Sequence, residues 1–200
     1  MKKLTLYLLI MALFTSTSNT AQSVNPFFTD YKTPFQIPPF EEIKMEHYKP
    51  GFEQGMKEHL DEINDITANR EAATFENTIV SLERTGETLD KVSDVFFNLL
   101  SSNTNDQMDS LVQEMSPKLS AHRDSILLNK DLFHRVKSVY DSRKSLSLNP
   151  EQTRLIEETH KYFVRAGVQL DENSMERLTE INQKLSSLSV QFDQNLLKET

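Results

Sequence analysis

From about residue 45 onward, apolar residues recur every three or four positions, the spacing that places them on one face of an α-helix. Phe52, Met56, Leu60, Ile63 and Ile66 form the first stripe. Pro50 just ahead of them suits a first helical turn, where its missing N–H has no partner to lose. The pattern predicts a helix of about five turns beginning near His47, with Glu53, Lys57, Glu58, Asp61, Glu62 and Asp65 as a solvated acidic face. A second helix is predicted from Thr74, a good N-cap, through Phe75, Ile79, Leu82, Leu89, Val92, Phe96 and Leu99 to a stop at Ser101-Ser102-Asn103. Gly86 inside it costs up to about 1 kcal/mol relative to Ala and marks either a bend or a close neighbour.

Met108, Leu111, Val112 and Met115 open a third helix, with Pro117 breaking or kinking it before Leu119, Ile126 and Leu127 continue the stripe. A shorter segment follows around Leu132, Phe133, Val136 and Tyr140. Asn149-Pro150-Glu151-Gln152 is a helix start, with Asn149 as N-cap, Pro150 in the first turn and Gln152 placed to close a capping box. Behind it come Leu155, Ile156, Tyr162, Phe163 and Val164. The last stripe is the most regular: Met175, Leu178, Ile181, Leu185, Leu188, Phe192 and Leu196. It runs almost to Thr200 without a Gly or Pro stop, so the chain is expected to end inside an element.

The residues ahead of the helices read differently. Residues 22–44 carry Pro26, Pro34, Pro38 and Pro39 among Phe27, Phe28, Tyr31, Phe35 and Phe40. Proline fixes φ and removes donors, which predicts an extended arm, and so many aromatics predict an arm that packs onto the helical body. Residues 1–21 have the form of a secretory signal: Met1-Lys2-Lys3, an apolar run from Leu4 to Phe14, then small polar residues with Ala21 as cleavage residue. The run is about half the roughly 20 residues needed to span a bilayer. The expected organisation is therefore a signal peptide over 1–21, an arm over 22–44 and a helical body over 45–200. The mature chain is expected to be exported, periplasmic or secreted, with no membrane attachment after cleavage.

Composition narrows the class further. Only four of the 200 residues are Gly, and the evenly spaced β-branched runs of a sandwich or barrel are missing, so the fold is expected to be all-α. There is no Cys, which leaves no disulfide framework, no thiol nucleophile and no lipidated cysteine. The formal net charge is −8, and loss of residues 1–21 removes Lys2 and Lys3 and no acid. An acidic chain without a basic cluster is not expected to bind nucleic acid.

None of the five histidines, His47, His59, His122, His134 and His160, opens an H-E-x-x-H helix, in which two rings would project from one face toward a zinc ion. His47 and His59 are nearest in sequence, yet twelve helical positions separate them by roughly 18 Å. His59, near Asp61 and Glu62, and His160, after Glu157 and Glu158, are expected to be surface histidines on acidic helices. Four scattered glycines build no phosphate loop, and there is no G-x-S-x-G elbow. Phe96 continues a core stripe, and Phe97 lies one position round the helix, toward a second neighbour. No catalytic, cofactor-binding or metal residue is assigned.

Several strings, in order, resemble one known family. Asn25-Pro26-Phe27-Phe28, Pro38-Pro39-Phe40-Glu41-Glu42-Ile43-Lys44-Met45-Glu46-His47-Tyr48-Lys49-Pro50-Gly51-Phe52, Thr74-Phe75-Glu76-Asn77-Thr78-Ile79, Leu155 to Gly167 and Leu185 to Leu197 are similar to the opening of M3 (thimet oligopeptidase) zinc metallopeptidases, in the peptidyl-dipeptidase branch. Gly51 stands where Ala is expected. The resemblance implies the N-terminal portion of a channel-forming helical peptidase, one wall of a deep channel, with the zinc-bearing half absent. In the complete enzyme it implies Zn²⁺, short peptide substrates and release of C-terminal dipeptides. No family ligand maps onto this chain, so the chain alone is expected to bind no zinc and to be inactive. The other reading is a stand-alone exported module that binds peptides or a protein without cleaving them.

Overall fold

The computed structural model describes residues 24–199, and every regular element among them is helical. The all-α expectation holds. The signal-peptide segment lies outside the described residues.

Helix α1 covers Met45–Ala68. It starts two residues ahead of the predicted His47, so Pro50 lies inside the helix rather than in its first turn. Burial accounts for the earlier start: His47 and Tyr48 are both buried, and the Lys44 N–H donates to His47 Nδ1 at 3.0 Å, closing the N-terminus. The arm is not uniformly extended. It forms two short 3-10 turns, Pro26–Phe28 and Pro34–Gln36. Only its first part docks firmly, with Phe27 fully buried beside the Tyr48 ring at 5.5 Å and Asn25 Nδ2 donating to the His47 carbonyl at 2.8 Å. Phe35 stays almost entirely exposed.

The predicted second helix is two pieces. Thr74 caps a π-helical turn over Phe75–Val80, exchanging hydrogen bonds with Asn77, and a short α2 follows at Ser81–Glu83. The chain then breaks at Gly86, which adopts φ 86° and ψ 14°, a left-handed conformation that glycine alone takes without cost. Helix α3 runs from Glu87–Ser102. Helix α4, Asp106–Leu127, passes through Pro117 without a break. Helix α5 is Lys130–Ser142, capped by the Asn129 side chain. Helix α6, Pro150–Ala166, has the predicted capping box between Asn149 and Gln152 and closes on left-handed Gly167. Helix α7 covers Glu172–Glu199.

Two apolar clusters meet along α1. One gathers Phe27, Tyr48, Phe52, Val92, Phe96 and Met115, joining the arm to α1, α3 and α4. The other gathers Ile63, Ile79, Leu132, Val136, Ile156 and Phe163 around the far end of α1. The α1–α3 crossing is close because of Gly55: a Cβ there would come within 2.8 Å of the Leu89 backbone. Buried Arg135 on α5 donates to the carbonyls of Asn69 and Glu71 and to Asn77 Oδ1, tying the turn after α1 into the second cluster.

Helix α7 lies along α4 and meets it partly through polar groups. Asn182 Nδ2 donates to both Asp124 carboxylate oxygens at 3.0 and 3.1 Å. Buried Gln194 donates to the Asp109 carbonyl and accepts from Gln113. Along the regular apolar stripe Met175 is buried, whereas Ile181, Leu185, Leu188 and Phe192 are exposed, Phe192 by 66%.

Candidate functional site

Two constellations stand out, and neither was assigned from sequence. The first is a histidine junction between α1, α4 and the Gly86 break. His122 Nε2 lies 3.2 Å from His59 Nδ1, and His59 Nε2 lies 3.1 Å from Thr85 Oγ1. His122 is buried and His59 half-buried, so the expected surface placement of His59 is corrected: the Gly86 break folds Thr85 over its ring. Glu62 Oε2 accepts the Gly86 N–H at 2.7 Å. Burial pushes the His122 imidazole down to about 4, with the His59 ring adding to the effect. Burial likewise lowers His59, while Glu62 and Asp90 oppose that shift. Asp90 itself is raised by burial and by neighbouring Asp94. Both rings are therefore neutral near pH 7, joining helices rather than carrying protons. His160 is also no plain surface residue; it stacks on Tyr140 with ring centroids 3.9 Å apart.

The second constellation is a cleft of about 660 Å³ between α3, α4, α6 and α7. Phe97, Leu178 and Leu185 give it apolar wall, and Arg123 and Arg165 give it positive charge. Arg123 donates through Nη2 to the Tyr162 hydroxyl, and its guanidinium carbon lies 5.3 Å from the centre of that ring, so the side chain is held at the rim. Asp124 in the same wall is occupied by Asn182; burial raises its carboxyl, against the Asn182 bonds and the Arg123 charge. A second cavity of about 530 Å³, with His59 and Asp90 in its wall, shares Leu127 and Arg165 with the first. Phe97, half-exposed against the Phe52 and Phe96 rings, thus has the cleft as its second neighbour.

Among the described residues no three or more His, Cys, Asp or Glu side chains are grouped to hold a metal ion. His59 and His122 bring two ring nitrogens within 3.2 Å of each other, but no third ligand joins them among the described residues. These residues do not fit a zinc site. Also among the described residues, no helix is long and apolar enough to cross a membrane.

No family model matches the chain. Its curated relatives are peptidases. Dipeptidyl carboxypeptidase of Escherichia coli strain K12 is 38% identical over 175 residues, which cover 88% of this chain and 26% of that protein. The dipeptidyl carboxypeptidase of Salmonella typhimurium is 39% identical over 175 residues, with the same two shares of 88% and 26%. Oligopeptidase A of Escherichia coli is 23% identical over 168 residues, 84% of this chain and 25% of that protein. The chain belongs to the M3 (thimet oligopeptidase) family.

It spans about a quarter of the length of the curated M3 relatives it matches. Within that quarter the M3 strings occupy structural positions. Asn25 and Phe27 anchor the arm, Tyr48 and Phe52 build the first cluster, and Thr74 and Asn77 form the cap of the π turn. The ordered strings thus record packing and capping. Arg123 lies between them, and no local pattern marked it.

Proposed function

We propose that this chain supplies the helical, non-catalytic wall of an exported zinc peptidyl-dipeptidase, and that catalysis resides in polypeptide beyond it. The observation that carries the proposal is the α7 stripe. A 28-residue helix turns Asn182 and Gln194 toward its neighbour α4 and leaves Ile181, Leu185, Leu188 and Phe192 exposed. Exposed apolar surface of that extent marks an interaction face, and the matched stretch is only 26% of the dipeptidyl carboxypeptidases, leaving about three quarters of their length to cover it. Export rests on the form of residues 1–21. Zinc, when bound in the complete enzyme, would activate water for attack on a peptide carbonyl. No step of that chemistry is routed through the residues described above, whose part is to enclose and orient a short peptide.

The test is a chimera in which residues 25–199 replace the matching stretch of Escherichia coli dipeptidyl carboxypeptidase. The chimera is expected to release C-terminal dipeptides in a chelator-sensitive manner, and Leu185→Glu with Phe192→Glu is expected to abolish assembly. A folded, monomeric chimera without activity would overturn the proposal. So would chelator-sensitive cleavage by the 200-residue chain alone, which would favour a self-sufficient enzyme. A stand-alone binding module is the second reading, favoured by the preformed cleft; it predicts peptide binding by the chain together with an inactive chimera.

A further inference from the structure

We propose that His122, His59 and Thr85 form an acid-sensitive latch: at neutral pH it holds the α2–α3 turn, residues 84–86, against α1, and on acidification it releases that turn about Gly86, taking away one wall of the neighbouring cavity of about 530 Å³. The inference stands apart from the proposed function, since every group it uses lies within the described helices and the turn between them.

The hydrogens decide the closed arrangement. Thr85 has a single hydroxyl hydrogen, and it is committed to the Leu82 carbonyl at 2.7 Å. Thr85 Oγ1 therefore accepts from His59 Nε2–H, 3.1 Å away. A neutral His59 with its hydrogen on Nε2 has a bare Nδ1, which accepts from His122 Nε2–H at 3.2 Å. The result is a one-way chain of donors running from α4 through α1 to the turn. A separate bond, from the Gly86 N–H to Glu62 Oε2 at 2.7 Å, holds the end of the same turn. Gly86 is the natural pivot, because at φ 86° its backbone carries no Cβ to restrict it.

Protons act against this chain. A hydrogen on His59 Nδ1 removes the acceptor and points at His122 Nε2–H. His122 yields only by carrying its own hydrogen on Nδ1 instead, and a second proton closes that escape: both facing nitrogens then bear hydrogen and both rings bear charge. Glu62 on α1 and Asp90 on α3, the latter beside Asp94, favour a charge on His59. Nothing comparable offsets a charge on buried His122, whose neighbours Arg123 and Asp124 are engaged with Tyr162 and Asn182. Of the charged groups in the cavity wall from α2 and α6, Glu83 and Arg165 are of opposite sign, and Glu158 is paired with Arg154 and Lys161. The closed latch thus excludes protons that the open one accepts, so acid favours opening.

The test is amide hydrogen exchange of the 200-residue chain, followed by NMR from pH 7.5 to pH 5.5 and corrected for the intrinsic effect of pH. The Thr85 and Gly86 amides are expected to be less protected than that of buried Val136 on α5 throughout, since opening the turn leaves the helices folded. Their protection should fall about tenfold over the range, the linkage of one imidazole held at about 4 when closed and free to titrate at 6.5 when open. His122→Asn, whose amide still donates to His59 but takes up no proton, should remove most of that fall. Nitrogen-15 spectra of the histidine rings at pH 7.5 should show hydrogen on Nε2 of both His59 and His122. Turn protection equal to that of Val136, or independent of pH, overturns the proposal. So does an undiminished fall in His122→Asn, which would assign it to Glu62 or Asp90, or a His59 ring with its hydrogen on Nδ1. The exchange and tautomer measurements use the unaltered chain and decide the matter even if the variant misfolds.

Discussion

Replacing Gly86 with alanine tests whether the histidine junction holds α1, α3 and α4 together. The residue sits at φ 86°, a conformation that costs a residue with a Cβ about 1–2 kcal/mol. The added Cβ would also lie 2.8 Å from His59 Nδ1 and 3.0 Å from its Cε1. The ring has little freedom to withdraw, because one nitrogen faces His122 and the other Thr85. Moving it forfeits those two contacts, about 1 kcal/mol each. Reduced freedom of the unfolded chain returns about 0.4–1 kcal/mol. Gly86→Ala is therefore expected to destabilise the fold by about 2–3.5 kcal/mol. Urea unfolding at pH 7.5 of the parent, Gly86→Ala, His59→Ala and the double variant measures this directly. With the ring gone, only the backbone cost remains, so in the His59→Ala background the loss should shrink to about 1 kcal/mol. A neutral Gly86→Ala, or the same cost in both backgrounds, would refute the reasoning.

Phe96 is fully buried against the Tyr48 and Phe52 rings at 5.2 and 5.3 Å, so Phe96→Ala should cost about 3–5 kcal/mol; a melting temperature unchanged from the parent would sink the core assignment. The histidine junction also predicts a pH dependence. His122 is held at about 4, below the ordinary imidazole value of 6.5, so the unfolded chain binds more protons through that window and stability falls as pH drops from 6.5 toward 4. The urea midpoint of the parent should fall more steeply over that range than that of His122→Asn, which does not titrate there; parallel curves would remove His122 as the cause.

Much of the fold was legible from local pattern. Asn149, Pro150 and Gln152 set the start of α6 because a capping box is satisfied within four residues. Thr74 capped where predicted, since its hydroxyl needs only the Asn77 N–H. The errors came where burial overrode local preference. Helix α1 starts two residues ahead of the predicted His47, so Pro50 lies inside it rather than in its first turn, and His47 and Tyr48 are buried in that added turn. The helix predicted through Gly86 breaks there, at the glycine expected to mark a bend or a close neighbour: it takes φ 86°, and a Cβ on it would lie 2.8 Å from His59 Nδ1. Neither constellation was legible: His59 and His122 are 63 positions apart, and Arg123 and Arg165 come from different helices.

Helicity, the arm, the absence of thiol chemistry and the family strings follow from the order of residues, because periodicity, capping and proline are properties of neighbours in the chain. Which face of each helix is buried follows from the competition among all of them. The clearest case is α7: its stripe is the most regular in the chain, yet Asn182 and Gln194 secure it to α4 while Leu188 and Phe192 stay exposed. Spacing specifies that an apolar face exists; only the packed arrangement specifies what meets it, because contact depends on distances through space that the chain's order does not encode.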